Sequence, residues 1–121
     1  MNMTTTTRQV GSVMIVDING RMVREGSALL RDLLRDLLAA GHKKIVVNLA
    51  GTSDVDTAGL AYLVSGLISA RKQQGELKLL SPAKMVWEVI QITKLDRVFH
   101  IFHDESAAVM SFSINSAAAI A

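Results

Sequence analysis

The sequence predicts one α/β domain, in which a mixed and mostly parallel sheet of four or five strands carries about four helices, packed mainly on one face. Short segments rich in β-branched residues alternate with segments in which apolar residues recur every three or four positions. One segment, KKIVVNL, is a continuous apolar run, which is typical of a strand buried on both faces. Strands that alternate with helices pair in parallel through right-handed crossovers. The 121 residues are enough for one such domain without disulfides, and the chain has no cysteine.

The first half of the chain predicts a β-hairpin, an amphipathic helix and a buried strand. Residues 5–10 and the segment VMIVDI form two strands joined at Gly11 and Ser12, and Gly20 closes the second strand. A helix then begins with Ser27 as its N-cap and ends at Gly41. Its apolar face consists of Leu30, Leu33, Leu34, Leu37 and Leu38. The run KKIVVNL is the central strand that follows.

The second half predicts three more helices and two more strands. The second helix begins near Ala58 and ends at Arg71, Lys72 and Gly75. Its apolar positions are Leu60, Leu63, Val64, Leu67 and Ile68. ELKLL and VFHIF are strands, and the helix between them spans 84–93 with Pro82 in its first turn. The core face of that third helix consists of Met85, Trp87, Val89 and Ile90. DESAAVMSF opens the last helix, so that the domain spans 1–112 and leaves 113–121 as a flexible tail.

Composition excludes several classes of function. The formal net charge is only +2 and the basic residues are interleaved with acids, which argues against a nucleic-acid partner. The longest apolar stretch falls short of the ~20 residues that span a bilayer, and the start has no signal-type apolar core, so we expect a cytoplasmic protein that does not bind membranes. His42, His100 and His103 lack the further ligands that a metal site needs. We therefore expect no metal and no cofactor.

The stretch SDVDT, between the central strand and the second helix, is the candidate site. Asp54, Asp56 and Thr57 follow the carboxyl end of a central strand, where open α/β sheets place their ligand surfaces. One interpretation is that these residues cap the second helix, because Asp and Thr are favoured helix caps. The other is a phosphate on Thr57, which would meet the positive end of the helix and add about −1.5 to −2 charges beside the two aspartates. An enzyme that uses Asp54 and Asp56 as a catalytic pair is the weakest interpretation, because nothing in the sequence ties them to an acid, a water or a metal.

The segment DTAGLA resembles the D-[S/T]-x-G-L-[G/A] signature of the STAS domain, as found in bacterial anti-anti-sigma factors. The likeness extends to VMIVDINGRM, to KKIVVNLAGTSDVDTAGLAYLV, to ARKQQGELKLLSP and to ITKLDRVFHIFHDESAA, and covers roughly residues 8–112. Val23 stands where many members have an acidic residue. The acceptor is Thr rather than the more common Ser, and Ala61 replaces the second glycine of the commonest motif.

This resemblance implies a protein that is a regulator and not an enzyme. Unphosphorylated members bind an anti-sigma factor that is also an ATP-dependent kinase, and this frees a sigma factor. Phosphorylation of the hydroxyl residue after the aspartate, here Thr57, ends the binding, and a phosphatase resets the switch. The partner-binding residues implied are Asp54, Asp56, Thr57, Ala58, Gly59 and Leu60. ATP would belong to the partner. The alternative is a STAS-type non-catalytic subunit of a lipid-transport ATPase complex or of a stress-signalling assembly, and a weak homodimer through the surface helices is compatible with either.

Overall fold

The structure is a computed structural model that describes the backbone of residues 3–120 and the side chains of residues 3–113. Its elements are β1 (Thr4–Val10), β2 (Val13–Met22), α1 (Arg24–Ala39), β3 (Lys44–Val55), α2 (Thr57–Lys72), β4 (Glu76–Leu80), α3 (Lys84–Ile92), β5 (Ile101–Phe102) and α4 (Glu105–Ile120). The five strands form one sheet in the order β1-β2-β3-β4-β5. In the described part of the chain β1 and β2 pair in antiparallel fashion, and the other pairs are parallel. The predicted fold class is confirmed.

The two central strands are longer than the sequence predicts. The prediction that Gly20 closes β2 is wrong, because Gly20 adopts φ +99° and the strand continues to Met22. Its pairing with β3 shifts register on both sides of this point. Each shift leaves one extra residue in β3, because residues 17–22 of β2 lie opposite residues 48–55 of β3, and such bulges bend a strand. As a result Met22 pairs with Val55, and both strands stop beside each other.

Three helices cover one face of the sheet. Alternate residues of β2, β3 and β4 pack there against α1, α2 and α3, and the larger core includes Ile18, Leu30, Leu34, Leu38, Val47, Leu49, Leu63, Leu67, Leu79, Val86 and Ile90. The apolar face predicted for α1 is confirmed, with Leu33 and Leu37 at the margin of this core. Ile68 and Met85 were predicted to face the core and do not, since half or more of each is exposed.

The C-terminus of α1 agrees with the prediction from sequence, whereas its N-terminus does not. At its C-terminus Gly41 adopts φ +93° and donates to Leu38 O (3.0 Å), as predicted for a glycine after a helix. At its N-terminus the prediction of Ser27 as cap is wrong. The helix begins one turn earlier, at Arg24, and Ser27 is buried inside it with no hydrogen-bond partner for its hydroxyl among the described residues. Val23, in the N-cap position, offers no side-chain acceptor.

The last third of the chain holds smaller differences. Pro82 precedes α3, whose N-cap is Ala83, rather than lying in its first turn. A short 3-10 turn, Leu95–Arg97, follows α3 and leaves only Ile101–Phe102 as strand β5. Asp104 caps α4 by accepting from Ala107 N (2.9 Å). The backbone of α4 is helical to Ile120. That 113–121 form a flexible tail stays a prediction, and Ala121 lies outside the described residues.

Helix α4 covers the opposite face of the sheet through a small apolar cluster and two polar contacts. Arg8 on β1 binds Asp17 and Glu105, with its closest oxygens at 2.7 and 2.6 Å. Lys78, in the middle of β4, is only 1% exposed beneath α4. Its Nζ donates to Ser111 Oγ (2.7 Å) and lies 4.3 Å from the ring centre of Phe112. No carboxylate of the described residues lies within salt-bridge distance of it. Burial lowers the pKa of Lys78.

Replacing Lys78 by Met should change how stability depends on pH. Because the pKa is lower in the folded state, the unfolded chain holds the Lys78 proton more tightly. The free energy of unfolding of the wild type should then rise as the pH increases through the window between that lowered pKa and about 10.4, whereas Lys78→Met lacks this rise. Urea denaturation between pH 7 and 10 measures the effect, with the exposed Lys72→Met as the control. Parallel pH profiles of the wild type and Lys78→Met would contradict it.

Candidate phosphorylation and partner-binding site

The candidate site lies where two strands end and two helices begin. β3 ends at Val55 and α2 begins at Thr57, so that Asp56 alone separates them. The predicted loop SDVDT is therefore mostly strand. On the neighbouring strand, β2 ends at Met22 and α1 begins at Arg24. We call the place where the two helices begin, formed by Arg24, Asp56 and Thr57, the helix junction.

The carboxylate of Asp56 serves both helices of the helix junction. Its Oδ1 accepts from Gly59 N (2.9 Å), which makes Asp56 the N-cap of α2. Its Oδ2 accepts from Arg24 N (2.9 Å), the first residue of α1. The hydrogen bonds from Gly59 N and Arg24 N lower the pKa of Asp56. Asp56 thus supplies the cap that Val23 cannot give to α1.

Thr57 is the first residue of α2 and is exposed. Within the described part of the chain its hydroxyl takes no hydrogen bond, because the capping role belongs to Asp56. The capping role predicted for Asp56 and Thr57 therefore belongs to Asp56. The threonine presents an unengaged Oγ1 to the surrounding solvent.

Asp54 lies near Thr57 and is partly neutralised. Its Oδ2 is 3.1 Å from Nη2 of Arg21, the residue opposite it on β2, and its Oδ1 accepts from Val55 N (2.8 Å). This ion pair is exposed, so its contribution to stability is small. A groove beside it is lined by Arg21, Val23, Glu25, Gly26, Leu29 and the N-terminal residues Met3 and Thr4.

The remaining predicted site residues position the helix. Ala58 is half-buried, and Gly59 and Leu60 are buried. A Cβ on Gly59 would lie 2.3 Å from Met22 O, so only glycine lets α2 start this close to the end of β2. Leu60 belongs to the core. Of the six predicted residues, Asp54, Asp56, Thr57 and in part Ala58 are at the surface of the chain.

The histidines do not form a metal centre in the described part of the chain. No group of three or more His, Asp or Glu side chains there could hold a metal ion. His103 instead packs edge-on against Trp87, with 5.8 Å between the ring centres. Sequence reasoning missed Arg21 and Arg24, which reach this region from β2 and α1. No local signal marks them, because their position depends on the pairing of β2 with β3 beyond Gly20.

Fold and site define a small α/β domain that displays a threonine hydroxyl at the start of a helix capped by the preceding aspartate. The chain belongs to the STAS domain family, whose model matches residues 4–108. A protein of Thermotoga neapolitana is 31% identical to it over 101 residues, which are 83% of this chain and 89% of that protein. That relative is named, provisionally, as an anti-sigma factor antagonist.

Solved structures agree with this assignment. A crystal structure from Thermotoga maritima, of a protein given the same provisional role, superimposes with a TM-score of 0.84 at 28% identity and covers 88% of this chain and 92% of its own. The anti-sigma factor antagonist SpoIIAA has been solved in its unphosphorylated form (TM-score 0.80, 17% identity, covering 91% of this chain and 96% of its own) and, from Bacillus, in its phosphorylated form (TM-score 0.72, 16% identity, 90% and 99%). At this identity the likeness to SpoIIAA concerns the fold alone. None of the helices in the described part of the chain is long and apolar enough to cross a membrane.

Substitutions of Asp56 and Thr57 should show which of the two residues caps α2 and which is exposed without a capping role. Asp56→Ala removes an acceptor from two helix N-termini and should lower the free energy of unfolding by about 1–2 kcal/mol or more. Thr57→Ala removes a hydroxyl without a partner and should change it by less than about 0.5 kcal/mol. Chemical denaturation of both variants beside the wild type measures this. A loss of similar size in Thr57→Ala would assign the capping role to the threonine.

Proposed function

We propose that this chain is an anti-sigma factor antagonist switched by phosphorylation of Thr57. In its unphosphorylated form it binds an anti-sigma factor with ATP-dependent serine/threonine kinase activity, which releases a sigma factor. Phosphorylated at Thr57, it no longer binds. In this proposal the chain is a cytoplasmic regulator without catalytic residues or a cofactor of its own, ATP is bound by the partner, and a phosphatase restores the binding form.

One observation carries the proposal: the Thr57 hydroxyl is exposed and has no hydrogen-bond partner among the described residues, while Asp56 beside it provides the cap. A kinase needs such a free oxygen. In the transfer a bond forms between Thr57 Oγ1 and the γ-phosphorus of ATP, the bond from that phosphorus to the β–γ bridging oxygen breaks, and ADP leaves. The hydroxyl proton passes to a base of the kinase.

A phosphate at this position would act on a partner rather than on the fold. It would lie at the positive end of α2, which stabilises negative charge. It would also add about −1.5 to −2 charges to a surface that already carries Asp54 and Asp56. A thousandfold loss of affinity requires only ~4 kcal/mol, which repulsion and steric intrusion at one desolvated contact can supply.

Three surface residues support a contact centred on Thr57. Asp54, Thr57 and Ala58 reach the surface at one end of the sheet, whereas Gly59 and Leu60 are buried and keep the start of α2 in place. The alternative function, a non-catalytic subunit of a lipid-transport ATPase complex or of a stress-signalling assembly, would use this fold for docking alone. It predicts that a partner binds equally well with and without a negative charge at position 57.

Affinity capture from extract of the native cells tests the proposal. The wild type and Thr57→Ala should each retain a protein that mass spectrometry identifies as an ATP-binding kinase, and Thr57→Asp should retain at least about tenfold less of it, equivalent to ~1.4 kcal/mol. Incubation of the wild type with that kinase and ATP should place a phosphate on Thr57. An acidic residue at the first position of a helix is favourable, so we expect Thr57→Asp to keep the fold, and thermal unfolding of this variant verifies it.

Ser65→Asp is the matched control, because Ser65 is exposed and lies two turns further along the same helix. It adds the same charge to α2 away from the helix junction and should retain the kinase as the wild type does. Equal capture of transporter subunits or of a multiprotein scaffold by the wild type and Thr57→Asp would support the alternative. A Thr57 that stays unmodified in the presence of the captured kinase and ATP would refute the switch.

A further inference from the structure

The arginines of this protein fall into two groups. Five of the seven have a carboxylate within salt-bridge distance: Arg8, Arg21, Arg31, Arg35 and Arg71. The other two, Arg24 and Arg97, have none among the described residues. Both are exposed. Arg24 is the one that belongs to the helix junction.

Arg24 is tied directly to the residue before Thr57. Its backbone nitrogen donates to Asp56 Oδ2 (2.9 Å), which holds the start of α1 against the start of α2. The charge of Arg24 also lowers the pKa of Asp56, as the smallest of the contributions after the backbone hydrogen bonds from Gly59, Arg24 and Ala58. Because Arg24 N lies 2.9 Å from the Asp56 carboxylate, the Arg24 side chain begins beside the residue that precedes Thr57. Its neighbour Glu25 is exposed and has no ion-pair partner in the described part of the chain.

We propose that Arg24 binds the phosphate of phosphorylated Thr57 within the same chain. This inference rests on the phosphorylation proposed above and names the residue that receives the phosphate. The planar guanidinium can donate two parallel hydrogen bonds to phosphate oxygens, and these charge-assisted bonds are stronger than neutral ones. Arg21 also lies at this end of the sheet, but its guanidinium is engaged by Asp54 at 3.1 Å. Among the described residues of the helix junction, Arg24 offers a cation without a carboxylate to displace.

With this contact, phosphorylation changes the charge that a partner meets by more than the phosphate alone would. In the unphosphorylated protein, Arg24 is an exposed cation at the helix junction and is free to meet an acidic group of a partner. In the phosphorylated protein, the same cation turns inward to the phosphate. A partner at this surface then meets about −1.5 to −2 added charges and also loses one positive charge that it could have used.

A phosphorus NMR titration tests the contact without any kinase. Phosphothreonine is placed at position 57 of the full chain by genetic-code expansion, in the wild type, in Arg24→Gln and in Arg97→Gln. The charged groups on the elements that meet at the helix junction are Asp54, Asp56 and Glu25 on the acidic side and Arg21 and Arg24 on the basic side. The second ionisation of a phosphate has its midpoint near about pH 6, so the phosphorus signal reports the titration of the phosphate itself.

The expected result is a midpoint raised by about half a pH unit or more in Arg24→Gln relative to the wild type, because a nearby cation favours the dianion and its removal favours the monoanion. Arg97→Gln is the matched control. Arg97 lies near the far end of α2, where Arg71 Nη2 donates to Val98 O (3.5 Å), and a helix of 16 residues is about 24 Å long. At that separation salt screens the charge, so this variant should titrate as the wild type does.

An unchanged midpoint in Arg24→Gln would overturn the inference, as would an equal shift in Arg97→Gln, which would mean a general charge effect. Thermal unfolding of the three unphosphorylated proteins verifies that each is folded. The result is also separable from the function proposed above. A shift with no kinase found in cells would leave the contact in place and refute the switch, whereas a kinase without a shift would keep the switch and remove Arg24 from it.

Discussion

The carboxylate of Asp56 is the contact on which the geometry of the site depends. One oxygen caps α2 through Gly59 N and the other accepts from Arg24 N at the start of α1, at 2.9 Å in each case. The first backbone N–H groups of a helix have no acceptor within that helix, and Val23 provides no side-chain acceptor for α1. One anionic side chain thus offsets two positive helix ends, and the hydrogen bonds from Gly59 N and Arg24 N lower the pKa of Asp56.

This arrangement requires that β2 and β3 end side by side. The register shifts near Gly20 carry β2 on to Met22, whose carbonyl accepts from Asp56 N at 3.4 Å. Gly59 then allows α2 to begin against that same carbonyl, where a side chain would collide with it. The bulge, the glycine and the capping aspartate therefore act as one unit.

Sequence patterns predicted the parts of this structure that depend on local periodicity and missed those that depend on pairing between distant segments. The apolar stripe of α1, strand ELKLL and the αL glycine at position 41 follow from spacing and residue type, and all three are confirmed. The extension of β2 beyond Gly20 depends on its pairing with β3, so a glycine with positive φ was read as the end of the strand. Ser27 was misread as a cap because the acceptor for α1 lies 32 residues away along the chain, on Asp56. The family motif located Thr57, but no local pattern could place Arg24 beside it.

The division of roles between Asp56 and Thr57 explains how a modification at this site can leave the fold intact. If the threonine were the cap, a phosphate would replace the acceptor that begins α2, and phosphorylation would alter the stability of the domain along with its surface. Because Asp56 fulfils that role with bonds on both of its oxygens, Thr57 Oγ1 is free of structural duty among the described residues. The phosphate then adds charge at a helix end that favours it. The energetic consequence falls on whatever binds the helix junction, and this separation of stability from recognition is what a reversible protein switch requires.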